Sequence, residues 1–156
     1  MGFHLIGRSF AALMVAIGLS ACAASEICLS NQHAVQVHFI SYYTKKDTTI
    51  EKVSMYGLGR TDSIYSSEKL SEVFLPLSFD NDPGSTMFVL KTATASDTLL
   101  FNHQKELDFI SGECGYVFQF SLDSMKSTGN TIDSISIVYP TIKYGEDVQN
   151  VELYIY

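Results

Sequence analysis

Apolar and polar side chains alternate along much of this chain. The clearest run is residues 116–122, where Tyr116, Phe118, Phe120 and Leu122 alternate with Val117, Gln119 and Ser121. Successive side chains of an extended backbone point to opposite faces, so a period of two marks a strand with one buried face. The same pattern sets Val35, Val37 and Phe39 against Gln36 and His38, and it recurs in Ile135, Ile137 and Tyr139 and in Val151, Leu153 and Ile155. Weaker runs lie at 49–58, 62–65, 71–77, 85–92, 98–103 and 106–110, with Pro76 marking an edge or a strand end. Turn residues separate them: Lys45-Lys46-Asp47, then Asp80-Asn81-Asp82-Pro83-Gly84, then Ser127-Thr128-Gly129-Asn130. The best helical candidate after residue 25 is 66–73, too short to hold a helical period. These runs predict an all-β domain, an antiparallel β-sandwich of about seven to nine strands with an immunoglobulin-like or transthyretin-like outline. True immunoglobulin hallmarks are missing, since the chain has no Trp and no Tyr stands two residues before Cys114.

The first 24 residues obey other rules. They hold Ala11, Ala12, Ala16, Ala21, Ala23 and Ala24, and the rest of the chain has only Ala34, Ala93 and Ala95. Arg8 precedes an uncharged apolar run over 10–19. That run is shorter than the ~20 residues a membrane span needs and has the form of a helical secretory signal. Leu19-Ser20-Ala21-Cys22 then resembles the lipobox of bacterial lipoproteins, in which small residues give a peptidase access to the backbone before a cysteine. The resemblance implies cleavage before Cys22, lipidation of Cys22, and a stable hold on the membrane through several acyl chains. The expected layout is a signal peptide at 1–21, a lipidated tether at 22–30 and one β domain at 31–156. No Asp follows Cys22, so the retention signal for the inner membrane is missing and the outer membrane is the expected site. A periplasm-facing domain is preferred to a surface-exposed one.

With Cys22 taken by lipid, Cys28 and Cys114 remain, and export places them in an oxidising compartment. Two thiols allow one intramolecular pairing, so a Cys28–Cys114 disulfide is expected. No CxxC or HxxxH spacing supports zinc, and His33, His38 and His103 are scattered. The Asp80–Gly84 stretch fails the calcium-loop pattern because Lys91 stands where a bidentate Glu belongs. Gly57-Leu58-Gly59 is followed by no helix and reads as a bend, not a phosphate cradle. No Gly-x-Ser-x-Gly elbow occurs. No metal, no cofactor and no catalytic residue is therefore expected. The formal charge of −7 argues against a nucleic-acid partner, which needs a basic face.

Five aspartates open a triplet with Ser or Thr second: Asp47-Thr48-Thr49, Asp62-Ser63-Ile64, Asp97-Thr98-Leu99, Asp123-Ser124-Met125 and Asp133-Ser134-Ile135. The triplet resembles the acceptor motif of the O-glycosylation system of Bacteroidetes-type bacteria, which implies candidate sites at Thr48, Ser63, Thr98, Ser124 and Ser134. Asp-Ser also suits a turn that enters a strand. The chain as a whole resembles a family of small Bacteroidetes lipoproteins with a domain of unknown function. The resemblance rests on Cys22 and Cys28, on Met55-Tyr56-Gly57-Leu58-Gly59 before Asp62-Ser63-Ile64, and on Phe74-Leu75-Pro76-Leu77. Asp97-Thr98-Leu99, Glu113-Cys114-Gly115-Tyr116 and Ile132-Asp133 belong to it too. It implies an envelope location and an all-β domain, and it carries no activity. The leading expectation is a lipid-anchored, non-catalytic module that binds a protein or a glycan. A fimbrial-type appendage subunit and an enzyme stand behind it.

Overall fold

The computed structural model describes Cys28, residues 34–80 and residues 83–156. The expected signal peptide at 1–21 and the expected lipidation site Cys22 lie outside the described residues. Ten strands follow in order: β1 (Ala34–Ser41), β2 (Ile50–Gly57), β3 (Ser63–Leu70), β4 (Glu72–Pro76), β5 (Gly84–Lys91), β6 (Ser96–Ser111), β7 (Gly115–Ser127), β8 (Ile132–Ile137), β9 (Thr141–Ile142) and β10 (Val151–Ile155). A four-stranded sheet has the order β4-β1-β10-β8, and a six-stranded sheet has the order β3-β2-β5-β6-β7-β9. The architecture is a β-sandwich.

The alternating runs supply the core. Val35, Val37 and Phe39 of β1, Val73 and Leu75 of β4, and Val151 and Leu153 of β10 are fully buried from the four-stranded side. Val53, Met55, Leu90, Leu99, Phe101 and Phe120 meet them from the six-stranded side. Burying such side chains stabilises by about 1.5–3 kcal/mol each, which fixes the register. A one-residue slip would turn the whole set outward. Asn150 joins the layers at one corner. It is buried, accepts from the Gln36 N–H through Oδ1 at 3.0 Å, and donates through Nδ2 to the carbonyls of Tyr139 and Thr141.

Three details depart from the sequence expectation. The strands number ten, one more than expected, because Thr141–Ile142 forms a two-residue edge strand, and the helical candidate at 66–73 is strand, with residues 66–70 extending β3. The runs at 98–103 and 106–110 are one strand, β6, of 16 residues. Finally, β1 pairs parallel with β10, Val37 opposite Val151 through Ser41 opposite Ile155. The remaining pairings between strands are antiparallel. No tight turn joins the first and last strands, so nothing forces them to run in opposite directions.

The β6–β7 hairpin outgrows the sandwich. β5 accompanies β6 only from Ser96 to His103, and β9 meets β7 only at Phe120 and Ser121. From Gln104 to Ser111 and from Gly115 to Gln119 the two strands pair only with each other among the described residues. Cys114 sits in the turn at the ribbon's far end, where Gly115 takes a φ of 70° that disfavours other residues. Its sulfur is bonded to Cys28, with the two Cα atoms 5.4 Å apart. The expected pairing is therefore present, and it ties the segment before β1 to the ribbon tip.

Closing a loop across 86 positions is expected to stabilise the fold by about 4 kcal/mol in the chain-entropy account. Denaturant unfolding of Cys114→Ser against the parent, both without reductant, checks this. An unchanged midpoint would contradict it.

Candidate functional site

The two ends of the sandwich differ in chemistry. Because β1 and β10 run parallel, Ser41 and Ile155 finish side by side, and the Tyr42 N–H donates to the Ile155 carbonyl at 2.8 Å. The residues that continue these strands are Tyr42, Tyr43 and Tyr156. Tyr42 meets Tyr43 edge on at 5.4 Å and Tyr156 at a tilt at 5.2 Å between centroids. The Lys45 ammonium lies 4.3 Å from the Tyr42 ring centre and 4.7 Å from that of Tyr154, a cation–π arrangement. Yet the cluster stays open to solvent: Tyr43 is 76% exposed and Tyr156 59%.

Behind these rings lies a groove of about 450 Å³ between the two sheets. Tyr43 and Tyr156 flank it, and Thr49, Thr94, Thr131 and Glu51 bring hydroxyls and a carboxylate. Aromatic walls with a few placed polar groups are the usual make-up of a small-ligand site. Rings that stack on C–H faces beside hydroxyls that exchange hydrogen bonds suit a sugar.

The Tyr156 hydroxyl donates to Asp133 Oδ1 at 2.5 Å, and the Ser134 hydroxyl donates to Oδ2 at 2.9 Å. The bond from Tyr156, with that from Ser134 and the nearby Lys45 charge, holds the Asp133 carboxyl below its ordinary range. In return, the bond to Asp133 pushes the Tyr156 phenol above its ordinary value, aided by desolvation. The tyrosine is thus fixed in orientation at the groove edge. It stays neutral well above pH 7.

A second groove, about 680 Å³, is lined by Leu58, Arg60, Phe79 and Met87. It borders Asp80, beyond which residues 81–82 lie outside the described residues. The two histidines among the described residues do not converge: His38 is beside Glu72, and His103 is buried with Nε2 2.9 Å from Thr86 Oγ1; His33 lies outside the described residues. Gly57-Leu58-Gly59 ends β2 and turns into the next strand, with Gly59 at a φ of 82°.

The five acceptor triplets have different surroundings. Ser63 and Ser134 are exposed, while Thr48, Thr98 and Ser124 are half-buried. Asp97 opens its triplet as a buried structural acceptor. Its carboxylate receives the Thr128 hydroxyl at 2.8 Å and the Asn130 and Thr131 N–H groups at 2.6 Å each. Burial alone would raise its pKa, and these hydrogen bonds outweigh burial and hold it below the ordinary carboxylate range. Asp97-Thr98-Leu99 is thereby explained as a clamp between the start of β6 and the turn before β8. Asp123 occupies a bulge in β7 and accepts from the Gln104 amide at 2.9 Å.

Sequence reasoning missed the tyrosine cluster. The Tyr-rich ends of the first and last strands were visible, but only the parallel pairing brings them together. A model of a family of unknown function, DUF6452, matches residues 52–155. The chain belongs to that family. The DUF6452 span takes in the whole β6–β7 hairpin with Cys114 and begins after Cys28 and Tyr43. No curated protein and no solved structure matches the chain.

Asp97→Asn is expected to cost about 2 kcal/mol, since an amide cannot accept all three bonds. A group with a lowered folded pKa stabilises above its unfolded value and loses that contribution as the pH falls through the folded one. Thermal unfolding should accordingly show the parent losing stability from about pH 4 downward more steeply than the variant. Parallel curves would contradict the clamp. For the tyrosine cluster, Tyr156→Phe should let the Asp133 carboxyl titrate nearer its ordinary range by NMR. An unmoved titration would contradict the assigned bond.

Proposed function

We propose that the chain is a lipid-anchored envelope protein that binds a glycan, without catalysis, in the groove between Tyr43 and Tyr156. In this reading Cys22 carries the lipid and the domain stands on the outer membrane, facing the periplasm. The observation that carries the reading is the placement of the two ends. The disulfide brings Cys28, six residues after Cys22, to the tip of the β6–β7 ribbon. The aromatic groove lies where β6 begins, at the other end of a 16-residue strand. At about 3.3 Å per residue that strand is about 50 Å long. A module tethered at one end would therefore present its open rings to the far side.

Glycosylation is proposed at Ser63 and Ser134, whose hydroxyls stand at exposed positions after Asp62 and Asp133. Asp62-Ser63 sits where β3 begins, and Asp133-Ser134 lies in the first half of β8, an edge strand of the four-stranded sheet.

Titration of the lipidated protein with oligosaccharides released from its own envelope tests the binding reading. Micromolar to millimolar affinity is expected, falling at least tenfold in Tyr43→Ala and in Tyr156→Ala. Binding that both variants retain would contradict the site. Absence of binding, with crosslinking that recovers only the protein itself, would contradict the function. An intact mass without acyl chains on Cys22 would contradict the anchor.

A further inference from the structure

We propose that the outer end of the β6–β7 ribbon docks tip first, through the apolar side chains near its turn, onto a zwitterionic lipid bilayer, so that the ribbon and the lipid hold the domain at two points. The inference rests on lipidation of Cys22 in the reading above. Beyond His103, cross-strand partners share a face in the register Lys105 with Phe120, Leu107 with Phe118, and Phe109 with Tyr116. This face continues the core, since Phe120 is buried in it. Phe79 covers its inner part, with its ring 5.6 Å from both Phe118 and Phe120.

Nothing among the described residues covers the outer part. Leu107 and Phe109 are each 55% exposed and Tyr116 is 67% exposed, with the Phe109 and Tyr116 rings packed 5.1 Å apart. The opposite face is polar: Glu106 and Asp108 lie there, and the Gln119 amide donates to the Asp108 carboxylate. The ribbon is thus amphipathic, and a two-stranded ribbon alone is marginal in water. An apolar patch rimmed by polar groups marks a docking surface.

Chain connectivity selects the occupant. Cys28 is bonded to Cys114 at the ribbon tip. Cys22 lies six residues earlier, and six residues reach at most about 20 Å. Acyl chains on Cys22 therefore enter the bilayer within about that distance of the Cys28 backbone. The exposed aromatic side chains flanking this turn, Phe109 and Tyr116, are of types suited to the boundary between headgroups and acyl chains. Glu106, Asp108 and Glu113 would be repelled by anionic lipid, as would the cleaved chain, whose formal charge of −7 becomes −8 once Arg8 leaves with residues 1–21. A zwitterionic surface fits both facts.

The chain has no Trp, so one introduced ring reports alone. The test places Phe109→Trp, and separately Tyr43→Trp, in the full lipidated protein bound to phosphatidylcholine vesicles containing brominated lipid. The ring at position 109 should emit blue-shifted light and lose at least half its emission to bromine, while the ring at 43 stays solvent-like. Added anionic lipid should weaken the quenching. Tyr116→Trp reads the same face from the facing strand if Phe109→Trp does not fold. Flotation with solvent-like emission from the ribbon would overturn the docking and leave the anchor standing. Blue-shifted, unquenched emission with a crosslinked dimer would overturn it in favour of a second copy. A chain that does not float and lacks acyl mass would overturn the anchor and the docking together.

Discussion

The β6–β7 ladder sets the proportions of the molecule. It runs from Leu99 opposite Ser127 to Ser111 opposite Gly115, with bulges near His103 and near the tip. Its inner half is one wall of the sandwich and contributes Leu99, Phe101, Phe120 and Leu122 to the core. Its outer half has left the other strands behind. Without the inner half the six-stranded sheet would lose its centre, because β5 pairs with β6 and β9 with β7. Without the tip disulfide the outer half would be a free ribbon, held among the described residues where Phe79 packs on Phe118 and accepts through its carbonyl from Lys105.

That asymmetry gives the domain two unlike ends. At one, a covalent bond fixes the N-terminal segment to a strand turn. At the other, the parallel meeting of β1 and β10 gathers three tyrosine rings, two of which flank a groove. The buffering of charge differs too. Lys45 sits over two rings, and Asp133 is held by Tyr156 and Ser134, so a cation and a fixed anion lie beside the groove that Glu51 lines. Buried polar groups elsewhere, Asp97 and Asn150, are satisfied by several hydrogen bonds each and serve the fold.

Much of the fold was legible because a period of two maps directly onto one buried face. Val35, Val37 and Phe39 alternate in sequence and are all fully buried, and the same holds for Val151 and Leu153. The disulfide was legible because two cysteines leave one pairing. The alternation at Tyr116 and Phe118 was misleading in one respect. It promised burial, but Tyr116 lies on the outer ribbon and is largely exposed, while Phe118 is only partly buried against the core. Periodicity reports which face a residue occupies, not whether another sheet reaches that far. The groove was not legible at all, since it depends on which strand ends meet, and parallel pairing between the first and last strands leaves no local signal. Asp97 shows the opposite case: a short motif with a modification reading turned out to carry a buried hydrogen-bond clamp.

The central claim is that the domain stands on the membrane by its ribbon tip with the tyrosine groove uppermost. Neutron reflectometry of the lipidated protein on a supported phosphatidylcholine bilayer tests it most directly. An upright domain predicts a protein layer about 50 Å thick, set by the 16 residues of β6. A layer less than half as thick, with the sandwich lying on its side, would contradict the account.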